Sequence, residues 1–311
     1  MGRVVVAKAY GGPEVLHLVE MRTPQPQAGE VVVDIRASGV NPADWKSYSG
    51  AWGTDPSALP IRLGYECAGV VRRVGPGVED VAVGDEVIAY PVRGAYADRL
   101  LVRVSSLVPK PPALGWEKAA GLMVTGVAAV HTLTATHVGA GDTVLVHGAS
   151  GGVGAMIVQL AHARGARVIG TAAPVNHGYV TELGAHPVAY GPGLGDRIRH
   201  IAPHGIAAAI DAAGTDEALD TSVELVADRR RIATLAGFSH GAQLGIQLLG
   251  SGPGADPGTE IRLAARRTLI RAWEAGRIDV RVGATYHLAD VARAHRSGID
   301  GHVQGKIILK P

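Results

Sequence analysis

The residues Val144-Leu145-Val146-His147-Gly148-Ala149-Ser150-Gly151-Gly152-Val153-Gly154 join a short apolar run to a glycine-rich turn, and Ala155-Met156-Ile157-Val158-Gln159-Leu160-Ala161 follows at once. The run reads as a buried strand and the continuation as a helix packed on it. Glycines at 148, 151 and 154, with Gly152 added, keep the spacing of a dinucleotide-binding turn. Such a turn needs a tight reversal, a close approach of backbone to pyrophosphate and a close helix–strand contact. The start of the helix offers free N–H groups and the positive end of its dipole to phosphates. Ser150, Gly151, Gly152, Val153 and Gly154 are therefore the candidate cofactor-binding residues of the turn. A glycine pattern alone is weak evidence, and the flanking strand and helix supply the context that makes it specific.

The next strand, Ala166-Arg167-Val168-Ile169-Gly170-Thr171, ends where an NAD-selective site places a carboxylate for the ribose 2′-hydroxyl. Here Thr171, Ala172 and Ala173 stand there, and the first carboxylate after the strand is Glu182. Nothing acidic repels a 2′-phosphate, so NADP(H) is the expected cofactor. No Lys or Arg lies between Arg167 and Arg197, which leaves Thr171, Asn176, His177 and Tyr190 as neutral candidate donors. Gly237 and Phe238 follow a later strand-like run, at a position where ligands of parallel sheets bind, and are expected to line the same site.

These residues need elements to hold them. Up to about residue 115 the chain carries short β-branched runs, Arg3–Tyr10, Leu16–Glu20, Glu30–Ala37, Ala68–Val74, Glu86–Tyr90 and Tyr96–Val102, separated by Gly and Pro turns. That density of short strands predicts a barrel-like β domain. Pro109-Lys110-Pro111-Pro112 marks a boundary, and from Trp116 strands alternate with helices, the signature of βαβ units and a parallel sheet. The segment at 239–258 is rich in glycine and is expected to be a mobile lid. The tail from Arg281 to Pro311 returns to short strands around one helix and is expected to fold back on the first domain. The expected division is thus 1–115 with 281–311, and 116–280.

Composition narrows the classes. In 311 residues, 47% hydrophobic and 19% charged, a net charge of +2 gives no case for nucleic acid or a membrane surface. The thirteen histidines are scattered, and the one cysteine, Cys67, forms no internal disulfide and no Cys-based zinc site. Met1-Gly2-Arg3-Val4 runs straight into a strand pattern, and no apolar stretch is long enough to span a bilayer, so a soluble, cytoplasmic protein is expected.

Five motifs in order, Ser38-Gly39-Val40-Asn41-Pro42-Ala43-Asp44, Gly64-Tyr65-Glu66-Cys67-Ala68-Gly69, Val83-Gly84-Asp85-Glu86-Val87, the turn at 148–154 and Gly305-Lys306-Ile307-Ile308-Leu309, carry a resemblance. The chain resembles the medium-chain dehydrogenase/reductase superfamily, and within it the zinc-free quinone oxidoreductase (zeta-crystallin-like) branch. The resemblance implies an α/β protein with a GroES-like β-barrel domain, a Rossmann domain of doubly wound parallel sheet, an active site in the cleft between them, and a homodimer. Zinc alcohol dehydrogenases of the superfamily carry Cys where this chain has Asn41 and His where it has Tyr65. Of that set only Glu66 remains, which argues for no metal.

Without a Lewis acid, reduction of a quinone or an α,β-unsaturated carbonyl is the favoured chemistry, because the acceptor's own carbonyl takes the developing charge. Asn41 stands where relatives have an active-site Asn. Trp52 stands where quinone and enoyl reductases often have Tyr, and its indole donates a hydrogen bond without releasing a proton. Tyr48, four residues earlier, is the substitute donor. Two alternatives stay open: an enoyl-thioester reductase, and an NADPH-binding redox sensor without turnover.

Overall fold

The computed structural model describes every residue except His302. Its elements run β1 (Gly2–Ala7), β2 (Leu16–Met21), β3 (Glu30–Val40), α1 (Pro42–Tyr48), β4 (Ile61–Arg62), β5 (Cys67–Val74), β6 (Glu86–Ala89), β7 (Arg99–Arg103), β8 (Leu107–Pro109) and α2 (Trp116–Ala135). They continue with β9 (Thr143–His147), α3 (Gly152–Ala163), β10 (Arg167–Thr171), α4 (His177–Glu182), β11 (Ala185–Val188), α5 (Leu194–Ile201), β12 (Ala208–Asp211), α6 (Asp216–Leu225), β13 (Ile232–Thr234), α7 (Phe238–Gln243), β14 (Gln247–Leu248) and α8 (Thr259–Glu274). The chain closes with β15 (Val282–His287), α9 (Val291–Ile299) and β16 (Lys306–Lys310). Two compact units result, Met1–Val124 with Val280–Pro311, and Thr125–Asp279. The division falls inside α2, not at the proline run where composition places it.

The first unit is built on one sheet in the order β15-β16-β3-β5-β6-β8, with β7 also paired to β3, and a smaller sheet in the order β2-β1-β4. Residues two apart on β3, Val31, Val33 and Ile35, share one face and pack with Val71, Leu100 and Val102, the period-2 pattern of a half-buried strand. A second core joins Val5, Tyr48, Leu63 and Tyr96 to Leu288, Val291, Ala294, Ile307 and Leu309, so the C-terminal segment completes this unit.

That second core contains a buried chain of polar groups. Tyr48 Oη lies 2.8 Å from His295 Nδ1, and His295 Nε2 lies 3.3 Å from Tyr96 Oη. The Tyr96 hydroxyl bonds Asp44, which also accepts the N–H groups of Asn41 and Gly64 at 2.8 and 2.9 Å. All four members are fully buried. With Tyr96 donating to the carboxylate, the donors run in one direction, Tyr48 to His295 to Tyr96 to Asp44. The imidazole is then the neutral Nε2–H tautomer.

The second unit is a parallel sheet in the order β11-β10-β9-β12-β13-β14. Numbered within the unit this is 3-2-1-4-5-6, the dinucleotide-binding arrangement whose reversal point lies beside its first strand. Leu145, Ile169, Ala209 and Ile232 on neighbouring strands form a core with Leu194, Ile198 and Leu219. The 239–258 segment, expected to be a mobile lid, carries regular structure. It begins inside α7 and contains β14, and Leu249 bridges Asp256. Asp256 is tied in turn to His131 Nε2 at 3.3 Å and to the N–H of Gly258 at 2.9 Å. Glycine content reported flexible turns there without revealing the carboxylate that anchors them. Among the described residues no helix is long and apolar enough to cross a membrane.

Burial pushes the His295 imidazole down to about 4. A histidine with a depressed folded-state pKa adds stability that is present above its ordinary value near 6.5 and is lost as pH falls toward about 4, here on the order of 3 kcal/mol. Asp44 works in the opposite sense, since burial raises its carboxyl to about 7 and protons then favour the folded state. Comparing wild type with His295→Gln cancels the Asp44 contribution. Unfolding free energies measured from pH 7 to 4 should fall less steeply in the variant, and identical slopes would show that His295 is not held neutral.

Candidate functional site

The glycine turn closes because two positions, Gly148 and Gly154, cannot carry a side chain cheaply. Gly148 adopts φ +71°, the left-handed region, and its N–H donates to Thr171 Oγ1 at 3.3 Å. A Cβ on Gly154 would lie 2.1 Å from Gly148 O, so only glycine allows α3 to sit this close to the end of β9. Gly151 is the N-cap of α3 with no side chain bonded over the helix start. The first N–H groups of any helix lack intrahelical partners. Those of Gly152, Val153 and Gly154 are therefore offered to an anion.

Around the turn, the expected residues divide. Asn176 Nδ2 donates to Ser150 Oγ at 3.3 Å, which joins the turn to the segment after β10. His177 pairs through Nε2 with Ala172 O at 3.2 Å, and Tyr190 is 60% exposed. Thr171 is placed differently from its expected role. It is buried, and its hydroxyl is spent on Gly148 N–H and on His147 Nδ1 at 3.3 Å. It braces the turn from beneath. Gly237 donates its N–H to Thr234 Oγ1 at 2.9 Å, and the ring of Phe238 lies against Gly252.

A row of buried polar side chains runs across the C-terminal ends of the parallel strands. Thr171 ends β10, His147 ends β9, Asp211 ends β12 and Thr234 ends β13. His147 pairs in register with Asp211, and Asp211 with Thr234. Asp211 Oδ1 accepts from Ala213 and Gly214 N–H, both at 2.9 Å, and its Oδ2 accepts from the Thr234 hydroxyl at 2.6 Å. Each strand thus ends on a side chain that shapes the loop above it. Burial pushes the His147 imidazole down to about 4, and its Nε2 has no protein partner. Sequence reasoning did not find the row, although the signal was present: each of these four runs ends on one polar residue.

In the first unit, Asn41, Glu66 and Lys306 form a second buried cluster. The Lys306 ammonium donates to Asn41 Oδ1 at 2.6 Å, Glu66 Oε1 at 2.9 Å and Val40 O at 3.1 Å, which uses all three of its protons. Asn41 Nδ2 donates to Glu66 Oε1 at 3.2 Å and Gly39 O at 3.3 Å, and Val124 N–H donates to Glu66 Oε2 at 2.9 Å. Asn41 is the N-cap of α1, yet its side chain faces the cluster while Asp44 reaches back to its N–H. The amide is engaged at both ends, so it holds Lys306 and Glu66 together. Tyr48 is also placed inward: its hydroxyl is committed to His295. Trp52 lies half-buried on the loop after α1. Cys67 is buried, and that burial with the nearby Glu66 charge pushes its thiol up to about 12, which leaves it inert.

Residues 27–112 match the family model described as "Alcohol dehydrogenase GroES-like domain", and residues 152–251 match "Zinc-binding dehydrogenase". The quinone oxidoreductase of Mus musculus is 31% identical over 334 aligned positions, covering 99% of this chain and 97% of that protein. The chain belongs to the quinone oxidoreductase branch of the medium-chain dehydrogenase/reductase superfamily. Among solved structures it is similar to the quinone oxidoreductase of Escherichia coli complexed with NADPH, at 27% identity and a TM-score of 0.86, with 100% of both chains covered. It is equally close in shape to an NAD-dependent alcohol dehydrogenase, at 28% identity and a TM-score of 0.86, with 99% of both covered.

The name of the second family model raises zinc, and the side chains present do not fit it. An amide stands at 41 and a phenol at 65, and Glu66 is already paired with an ammonium. Among the described residues no group of three or more His, Cys, Asp or Glu converges on one point.

The Lys306–Glu66 pair should be costly to break. Removing one partner of a buried ion pair leaves an uncompensated charge and costs about 3–5 kcal/mol, whereas removing both is often close to neutral. Lys306→Met should lower the unfolding free energy by about that amount. Adding Glu66→Gln should restore much of the loss. Chemical denaturation of both variants checks this, and equal losses would show that the two charges are not coupled.

Proposed function

We propose that this protein is an NADPH-dependent oxidoreductase that transfers a hydride to a quinone or an α,β-unsaturated carbonyl without a zinc ion. The observation that carries the cofactor half is the open start of α3: a glycine N-cap, no side chain across it, and a turn that Gly148 and Gly154 keep tight. Gly152, Val153 and Gly154 would hold the pyrophosphate through their N–H groups. NADPH, when bound, supplies the hydride.

The preference for NADPH rests on what stands beside the turn. No carboxylate follows Thr171 until Glu182, and Ser150, Asn176, His177 and Tyr190 present neutral polar groups. With Thr171 turned inward, Asn176 and Ser150 become the residues through which a 2′-phosphate would be held, and the similarity to an NADPH-bound quinone oxidoreductase supports this.

The acceptor half rests on the donor set of the first unit. Alcohol oxidation needs the hydroxyl to lose its proton, which a Lewis-acidic metal eases by stabilising the alkoxide, and Asn41, Tyr65 and a Glu66 neutralised by Lys306 cannot assemble a tetrahedral metal site. A quinone or enone carries its own electron sink and needs chiefly alignment. The quinone oxidoreductases similar to this chain over its full length support the same class. The enoyl-thioester reading finds only a fold-level likeness, to an enoyl reductase at 21% identity. The homodimer implied by the family belongs to this proposal and is read by sedimentation.

Steady-state NADPH oxidation with quinones, enones and enoyl thioesters tests the whole reading. Turnover should be fastest with quinones or enones. Highest rates with enoyl thioesters would transfer the assignment to that class, and tight NADPH binding without turnover on any acceptor would make the protein a sensor.

Two substitutions test the cofactor site. Gly152→Val should abolish NADPH binding while circular dichroism stays native, and unchanged affinity in a folded variant would move the site elsewhere. Asn176→Asp places a carboxylate beside Ser150, where a 2′-phosphate would lie. NADPH affinity should fall about tenfold relative to NADH, about 1.4 kcal/mol of repulsion. An unaltered ratio would show that the phosphate is not read at this position.

A further inference from the structure

The first unit carries a cavity of about 300 Å³ that takes no part in the site described above, and four arginines line it, Arg22, Arg72, Arg73 and Arg99. They come from three separate pieces of chain. Arg72 and Arg73 lie on β5, Arg99 on β7, and Arg22 just beyond β2, beside Thr23 and Gln25.

Three of the guanidinium groups are held in fixed orientations by bonds at one side. Asp34 bridges two of them, with Oδ1 accepting from Arg99 Nε at 2.9 Å and Oδ2 from Arg72 Nη1 at 3.0 Å. Arg99 Nη1 also donates to Met1 O at 3.1 Å. Arg73 donates from Nη1 to Gln25 Oε1 at 2.6 Å and from Nη2 to Pro24 O at 3.4 Å. Its Nε is buried and has no partner, an unsatisfied donor on a charged group. Arg22 has no hydrogen-bond or ion-pair partner among the described residues.

The charge is therefore out of balance. Of the four guanidinium charges only Arg72 and Arg99 bond a carboxylate, that of Asp34; Asp98 also acts on Arg99 but is itself bonded to Arg3, and the other acceptors, Gln25 Oε1 and the carbonyls of Pro24 and Met1, are neutral. Converging like charges destabilise a folded protein unless an anion joins them. Planar guanidinium forks suit oxyanions, which they bind in bidentate fashion. A volume of about 300 Å³ admits a small ligand.

We propose that this cavity is a binding site for a compact polyanion, a small molecule bearing two or more phosphate or carboxylate groups, held by Arg22, Arg72, Arg73 and Arg99. The site belongs to the first unit alone and is separate from the glycine turn. Pyrophosphate and citrate represent the two oxyanion chemistries.

Calorimetric titration of the full-length protein with each anion at low ionic strength is the test. At least one should bind saturably with one equivalent per chain, and the one that binds more tightly identifies the oxyanion. Arg22→Gln combined with Arg73→Gln should weaken that binding at least tenfold and leave NADPH affinity unchanged. Gly152→Val, which alters the turn, should leave anion binding intact. The double variant loses two like charges, so its melting temperature without anion should equal or exceed that of the wild type, which separates a binding defect from a folding defect. Absence of saturable binding by either anion overturns the proposal. So does binding that survives in the arginine double variant or is lost in Gly152→Val.

Discussion

A buried ammonium organises the first unit. Lys306 sits on the last strand, yet its three protons reach the end of β3, the N-cap of α1 and the residue before β5. Glu66 extends the cluster to α2 through Val124 N–H. Four segments distant in sequence, at 40–41, 66, 124 and 306, are thereby fixed by one lysine and one carboxylate. The cost of desolvating both charges is offset only because every proton on the lysine and both carboxylate oxygens have partners. Gly39 belongs to the same constraint. A Cβ there would lie 2.5 Å from both Glu66 Oε1 and Ala120 O, so the motif around Ser38–Asp44 needs glycine to let the cluster close.

The second unit solves a different problem with similar means. Strands of a parallel sheet end together, and the loops above them must take defined shapes without a ladder to guide them. Here one polar side chain per strand does this, Thr171, His147, Asp211 and Thr234, each bonded to its neighbour or to the backbone of the loop that follows. The loops that would meet a cofactor are consequently held from below by buried groups rather than by contacts in solvent. A rigid floor of this kind lowers the ordering cost of binding, because the backbone donors are in place before a ligand arrives.

What could be read from the sequence follows from which constraints are local. The glycine turn was legible because Gly148 and Gly154 answer to backbone geometry within seven residues of each other, and β3 was legible as a β-branched run for the same reason. The parallel sheet was legible from strands and helices in regular succession. The side-chain partnerships were not. Lys306 and Glu66 are separated by 240 positions, and Tyr48 and His295 by 247, so nothing near any one of them announces the other. Tyr48 thus looked like an available hydroxyl, Asn41 like a free amide and Thr171 like a ribose contact, although each is turned inward. The compact units divide elsewhere for a related reason: composition changes at Trp116, while α2 continues across the division at Val124.

Asn41, Tyr65 and Glu66 bear on whether a metal could be held in the first unit. A zinc site needs anionic or imidazole ligands whose lone pairs face a common point. In this chain the polar groups that the resemblance set at that place are used to neutralise one another: an amide spans the ammonium and the carboxylate, and the phenol at 65 is half-buried. The cluster's charges cancel, Lys306 against Glu66, so it presents no net charge to draw a cation. Asn41 and Glu66 are thus part of the scaffold of the first unit. Under the proposed function, an acceptor that carries its own negative charge would ask the protein for position more than for acid.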